Sequence, residues 1–400
     1  MTSSRLPDNL QPNALSIAIE DKRRRKAPFI DLTESNPTRV GLSYPADLFE
    51  ALTNPKGLEY DPLPLGLWSA RAAVAADFRR RGTVLSADRV AVTASTSEAY
   101  GLLFKLLCDP GDAVLVPRPS YPLFEHLTRL EGVSTIAYGL EYHGSWRIDI
   151  DSIANAESRR APIHGVPGRV RAVLVVSPNN PTGSFLHRDD LEALTKLCAS
   201  KGWALIGDEV FADYPLDPAP HAVSVLAQQD VLTFGLGGLS KSAGLPQVKL
   251  GWIGFGGPPA KVDEAIAGYE MVADTYLSVS TPVQLAAPIL IERGAAIRKQ
   301  IQARVAANLA SLRDKASAFP SITVLPVEAG WSAVLQVPAV QSEEALALAL
   351  LEQDDVLVHP GYFFDFATEA FVVVSLLLEP EKFAIGIAAV LKRSANGGAE

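Results

Sequence analysis

The sequence predicts an α/β protein built on a mostly parallel sheet covered on both faces. Three observations carry this. Between about residue 89 and residue 256, short β-branched runs alternate with stretches of helical period, the pattern of βα units. Several runs, Val173-Leu174-Val175-Val176 among them, are apolar without alternation, as strands buried on both faces require. The 400 residues, 48% hydrophobic and 20% charged, have ordinary globular composition and exceed one compact core, so two domains are expected.

In chain order, residues 1–45 hold one amphipathic helix and the Pro- and Asn-containing stretch 31–38. That is too little for a domain, and an arm packed on the smaller domain or on a partner is expected. A large domain is expected over 46–285, with strands at 89–93, 113–117, 134–138, 171–176, 203–207, 231–235 and 250–256. A helix at 97–107 is closed by Asp109-Pro110-Gly111, and one at 189–201 is opened by two acids and closed by Gly202. The polar stretch 155–169 reads as a loop, and Arg79-Arg80-Arg81 as a solvated helix end. A smaller α/β domain is expected over 286–400, starting with a long helical pattern at 289–318 and continuing through strands at 322–325, 331–337 and 371–378.

Composition also excludes function classes. No apolar run approaches the ~20 residues needed to cross a bilayer, and the N-terminal stretch has no secretory core, which points to the cytoplasm. A net charge of −9 opposes affinity for nucleic acid. The two cysteines, Cys108 and Cys198, show neither metal nor redox spacing and read as buried thiols, and no metal site is expected.

Three segments could carry chemistry. In GLGGLSKSAGLPQVKLGW, residues 235–252, glycines let the backbone approach a bound group, Ser240 can donate to phosphate, and Lys241 in an apolar pocket can act as a nucleophile. The same residues also fit a surface loop with two solvated lysines, Lys241 and Lys249. SPNNPTG, residues 177–183, follows a strand whose carboxyl end is where open α/β sheets place ligands. It is also a good turn without any ligand. Asp208-Glu209 ends the next strand, and a buried acid there needs a partner, for which a protonated pyridine nitrogen or a loop cap would serve.

Taken in order, SPNNPTG, DEVF (208–211) and LSK (239–241) resemble the class I/II aminotransferase family of fold type I pyridoxal 5'-phosphate (PLP) enzymes, over residues 36–379. The resemblance implies a fold type I transferase with a seven-stranded, mostly parallel sheet in its large domain. It implies that Asn180 bonds the phenolic oxygen of PLP, Asp208 its pyridine nitrogen, and that Lys241 carries it as a Schiff base. Tyr121 in RPSYPLF would stack on the ring, and Thr96, Ser97, Ser240 and Lys249 would hold the phosphate at a helix start. Tyr60 in EYDPLPLG and Thr281 in YLSVSTPVQ match residues that family members lend to the neighbouring subunit, which implies a homodimer. The implied activity is ping-pong transfer of an amino group from an amino acid to a 2-oxo acid. A PLP lyase or decarboxylase, and a non-catalytic PLP-binding protein, are the alternatives.

Three residues depart from the family pattern. Lys249 stands for an arginine and keeps charge without the bidentate fork. Phe211 stands for a tyrosine that touches the phenolic oxygen; without it, a protonated, yellow Schiff base is expected across neutral pH. Val373, in Val373-Val374-Ser375, stands where the family's substrate-carboxylate arginine usually falls. Asn36 and Arg39 in SNPTR and His359 in VHPGYFF are the substrate-side candidates, although Arg39 could simply pair with an acid and His359 could be a satisfied histidine at a strand end.

Overall fold

The computed structural model describes residues 3, 5–7, 9–159 and 168–396. The arm consists of α1 (Ala14–Arg24) and the two-residue β1 (Ile30–Asp31). Asn13 caps α1 by accepting from Ser16 N, and Lys22, Arg23 and Arg24 complement the helix dipole in its last turn.

There follow α2 (Trp68–Arg80), β2 (Val90–Thr93), α3 (Thr96–Leu107), β3 (Ala113–Arg118), α4 (Leu123–Leu130), β4 (Ser134–Tyr142), β5 (Trp146–Ile148), α5 (Ile150–Ala154), β6 (Val170–Val176), α6 (Arg188–Lys201), β7 (Ala204–Asp208), β8 (Thr233–Gly238), α7 (Leu239–Ser242), β9 (Gly251–Gly256) and α8 (Pro259–Tyr276). The strands form one sheet of eight in the order β2-β9-β8-β7-β6-β3-β4-β5. From β8 to β4 neighbours run parallel, and β9 and β5 run against them. Strand order reverses between β3 and β6, which puts a ligand crevice at their carboxyl ends. Along β6, Ala172 and Leu174 enter one apolar cluster with α3 and α8, while Val173 and Val175 enter the other, so the run has no polar face.

The chain continues through α9 (Thr281–Ala316), β10 (Thr323–Val324), β11 (Ser332–Gln336), α10 (Glu343–Gln353), β12 (Val356–Leu357), β13 (His359–Pro360), β14 (Phe371–Ser375) and α11 (Pro380–Asn396). A second, antiparallel sheet has the order β10-β11-β14-β13. The arm is stitched to this part: β1 pairs in parallel with β12, and α1 packs on α10.

The structure corrects several expectations. The sheet has eight strands, because β4 turns back into β5, a run too short to show as a strand in the sequence. Gly235, Gly237 and Gly238 belong to β8 itself and not to a loop: a Cβ on Gly237 would lie 2.3 Å from Trp252 Nε1, and one on Gly235 would lie 2.7 Å from Leu226. Glycine is required there by close packing across the sheet. The helix expected from residue 289 begins at Thr281, with Pro288 inside it. Residues Ala156–Arg159 of the expected loop form a 3₁₀ turn, and 160–167 lie outside the described residues. The Arg79–Arg81 patch is not simply solvated: Arg80 pairs with Asp77 and Asp213, and Arg81, mostly buried, lies against Asp77. Cys198 is buried as expected, whereas Cys108 is partly exposed.

Candidate active site

Four consecutive strand ends converge on the crevice. After β6, the SPNNPTG turn is closed by Asn179, which accepts from Thr182 N and Oγ1 at 3.3 and 3.0 Å while its carbonyl accepts from Gly183 N. Gly183 has φ +72°, and a Cβ there would strike Ala329 O at 2.6 Å, so glycine is obligatory. With Asn179 committed to the turn, Asn180 is the one left facing outward. Its Oδ1 accepts from Ser332 Oγ of β11 at 3.3 Å, and its Nδ2 has no partner among the described residues.

At the end of β7, alternation sends Asp208 and Glu209 to opposite sides. Glu209 is buried and accepts from Ser224 Oγ and Val225 N at 2.6 and 3.0 Å, a structural role. Asp208 faces the crevice, where Val210 N and Tyr100 Oη donate to it at 3.2 and 3.0 Å. Burial raises its pKa, against the pull of those two donors and of Lys241.

Lys241, on α7 just past β8, has its Nζ 5.5 Å from the centroid of the Phe211 ring and 4.9 Å from that of Trp331. The rings meet edge to face at 5.3 Å. Burial lowers the amine to about 8, against the Asp208 charge. About a tenth is then neutral at pH 7, against roughly one part in 2,500 for an ordinary lysine. No ion pair joins Lys241 to Asp208 among the described residues.

The side expected to take a phosphate is equally built. Ser95 caps α3 by accepting from Glu98 N, which leaves Thr96 and Ser97 in the first turn. Gly251 pairs with both Thr93 and Gly238, and its absent Cβ would lie 3.0 Å from Thr96 N. This close approach brings β9 against the start of α3, and Ser240 lies two residues beyond Gly238, the strand partner of Gly251. Lys249 is exposed at φ +61°, an unusual conformation for a lysine, on the turn entering β9. Tyr121 follows β3 and is 44% exposed.

The other expected residues have surroundings of their own. Tyr60 is 63% exposed, and the turn before it packs Gly57 on Pro282, the neighbour of Thr281, at the start of α9. Asn36 spends its side chain on a local cap, accepting from Thr38 N and Oγ1. Arg39 is exposed and lines a cavity of about 470 Å³ with Asp31, Glu34, Glu379 and Lys382, which shares no residue with the Lys241 cluster. His359 stacks on Phe363 at 4.6 Å, and burial lowers it to about 4, so it carries no charge for a carboxylate at neutral pH. Val373 is buried among Trp146, Leu325, Val334 and Phe364.

Two members of the site escaped sequence reading. Tyr100 lies one helical turn after Thr96, and a lone hydroxyl on an otherwise apolar helix face was the signal available. Trp331 lies far along the chain from Lys241, and no spacing could connect them.

The cluster is a carboxylate raised by burial, an amine lowered by burial and an open amide, next to a helix start that a Cβ would obstruct. It fits a ligand that carries a cation, an aldehyde, an oxygen and a phosphate. Comparison with known proteins agrees: the family model "Aminotransferase class I and II" matches residues 50–390. The chain belongs to the class I and II aminotransferases. Members of this family use PLP, and this aminotransferase is PLP-dependent. It is 26% identical over 363 residues to the glutamate-pyruvate aminotransferase AlaA of Haemophilus influenzae, covering 87% of this chain and 86% of that one. It is 27% identical over 350 residues to the alanine aminotransferase of Mycobacterium tuberculosis, covering 84% and 78%. The fold is similar to that of an alanine aminotransferase from Pyrococcus furiosus, with a TM-score of 0.85 and 24% identity over 98% of this chain and 99% of the other. The expected fold class, cofactor and enzyme class are therefore borne out, and no helix among the described residues is long and apolar enough to cross a membrane.

Proposed function

We propose that this aminotransferase moves the amino group of an α-amino acid, alanine or glutamate in first instance, to a 2-oxo acid, with Lys241 as the catalytic amine. The donors are suggested by the names of its relatives. The observation that carries the reading is the Lys241 amine, held at about 8 between two aromatic faces and unpaired with the neighbouring Asp208.

Bound PLP supplies an electron sink for the bond broken at the substrate Cα. The chain's own residues have separate tasks. With PLP bound, Lys241 would hold it through its amine, and the same amine would be the group placed to take and return the proton at the substrate Cα. Asp208 would hold the ring nitrogen and keep it protonated, and Asn180 Nδ2 would be the donor for the phenolic oxygen. Tyr121 would cover the ring. The amides of Thr96 and Ser97, the Ser240 hydroxyl and the Lys249 ammonium would hold the phosphate. Phe211 and Trp331 exclude water from Nζ.

Val373 leaves the substrate carboxylate to another cation. Arg118, the last residue of β3, pairs with Asp365 at 3.3 Å, beside the Phe364 that packs on Val373. We infer that Arg118 serves the carboxylate, with Asn36, Arg39 and His359 outside that role. A homodimer belongs to the same reading and is supported by the exposed Leu58, Tyr60, Trp68, Tyr276 and Leu277. So does a division into units of 46–285 and 286–400, supported by the two separate sheets, with α9 running across it.

The apolar surroundings of Val373 favour one rival, a lyase or decarboxylase. Incubation with alanine and 2-oxoglutarate separates the two. Transfer gives pyruvate and glutamate in equal amounts and is abolished by Lys241→Ala. Release of ammonia or carbon dioxide without a new amino acid would overturn transfer.

A further inference from the structure

The tasks assigned above leave Tyr100 without one. Its side chain is 2% exposed, with the ring against Phe104 and Phe124 at 5.9 and 5.4 Å, so packing alone would be satisfied by phenylalanine. Instead a hydroxyl is buried there, with its proton on Asp208 Oδ2 at 3.0 Å. The other oxygen, Oδ1, accepts from Val210 N at 3.2 Å. A carboxylate has about four lone-pair positions. One donor on each oxygen fixes the plane of the group and leaves one position on each for a cation in the crevice.

We propose that Tyr100 is a positioning residue for the cofactor: its hydroxyl locks the Asp208 carboxylate in the orientation that meets the ring nitrogen of PLP. This rests on the PLP reading of Asp208. Toward the ionised carboxylate the hydroxyl is the donor, because burial and the Asp208 charge keep its proton on at neutral pH. Among the described residues, the titratable groups facing Asp208 are Tyr100 from α3 and Lys241 from α7, while Glu209, the next residue in the chain, points to the other side of β7. Of these, Tyr100 and Lys241 favour the charged carboxylate, while burial opposes it. Removing the hydroxyl therefore moves the Asp208 titration further upward.

The test is equilibrium dialysis of PLP against the full chain from pH 5 to 8, for the parent protein, Tyr100→Phe, Asp208→Asn and the double variant. The Phe variant keeps the ring packing. It should bind PLP about tenfold more weakly at neutral pH, the effect of one charge-assisted hydrogen bond. Its acid limb of binding should lie at higher pH than the parent's. In the Asp208→Asn background, the Tyr100 change should have almost no further effect, because the hydroxyl acts through that carboxylate. Unchanged affinity and pH limb in Tyr100→Phe, or multiplicative losses in the double variant, would overturn the proposal while leaving the PLP reading intact. Undiminished binding by Asp208→Asn would overturn the reading of Asp208 and the proposal with it. Should Tyr100→Phe not fold, the Tyr100 hydroxyl proton of the parent serves by NMR: its resonance must shift when PLP is added, and an unmoved resonance overturns the proposal.

Discussion

Lys241 shows how two opposed effects are decided by size. Aromatic faces favour an ammonium by roughly 0.5–2 kcal/mol, and Asp208 favours it too, yet burial lowers the amine from 10.5 to about 8. Desolvation therefore wins, at a cost of about 3 kcal/mol to the cofactor-free fold. A lysine with a lowered folded pKa binds fewer protons folded than unfolded between pH 8 and 10.5, so stability rises with pH across that window and the penalty is complete below it. Lys241→Met fills the same space without charge. At pH 7, without cofactor, it should be more stable to urea by roughly 1–3 kcal/mol, with a flatter profile between pH 8 and 10.5. A less stable variant at pH 7 would show that the site does not strain the amine. The lysine was legible in the sequence because Leu239-Ser240-Lys241 followed an apolar run. Phe211 was legible only as a residue near the cofactor oxygen, and Trp331 not at all, because a cage made by two distant segments leaves no mark in either one.

The strand ends place the remaining groups, and here local backbone chemistry was readable while boundaries were not. SPNNPTG declared its turn through Pro, Asn and Gly, but only the folded chain shows that Asn179 closes it and Asn180 is left outward. β5 and the glycine end of β8 were hidden for the opposite reason: their extended form is imposed by β4, Trp252 and Leu226, which overrule weak local preference. The start of α9 falls at Thr281, eight residues before the expected 289, and Pro288 sits inside the helix that the core holds. A paired substitution measures how much the turn matters. Gly202 and Gly183 have nearly the same φ, +71° and +72°, but a Cβ at Gly202 meets nothing within 4 Å, while at Gly183 it meets Ala329 O at 2.6 Å. Gly202→Ala should cost only the left-handed strain, about 1 kcal/mol. Gly183→Ala adds a backbone clash that must displace either the turn or the segment before β11, and should cost roughly 3 kcal/mol or more. Urea midpoints for the two variants give the comparison, and equal losses would mean that the contact with Ala329 is soft.

The polar links between the two parts of the chain include Ser332 to Asn180, Ala329 N to the Gly183 carbonyl at 2.9 Å, Ser120 N to the Phe364 carbonyl at 2.9 Å, and Arg118 to Asp365. This is why the residues proposed for the cofactor could be read in chain order and those proposed for the substrate could not. The former lie on consecutive strand ends of one sheet in chain order; the latter arise only where separate sheets touch, and the usual marker is replaced by an apolar Val373. Arg118 and Asp365 are 48% and 52% exposed, and an ion pair that open contributes at most about 1 kcal/mol. Asp365 can therefore surrender the guanidinium to a substrate carboxylate at little cost, and the arginine would keep a charged partner in both states. Arg118→Ala should raise KM for the amino acid and the 2-oxo acid by roughly tenfold or more, the loss of a charge-assisted contact, with the PLP dissociation constant unchanged. Arg118→Lys should fall between, because it keeps the charge and loses the fork. Asp365→Ala removes the competitor and should lower KM or leave it. If Arg118→Ala leaves both KM values at the parent level, the carboxylate is held elsewhere; if Asp365→Ala raises KM as much as Arg118→Ala does, the pair acts as a strut between the sheets and not as a receptor awaiting its ligand.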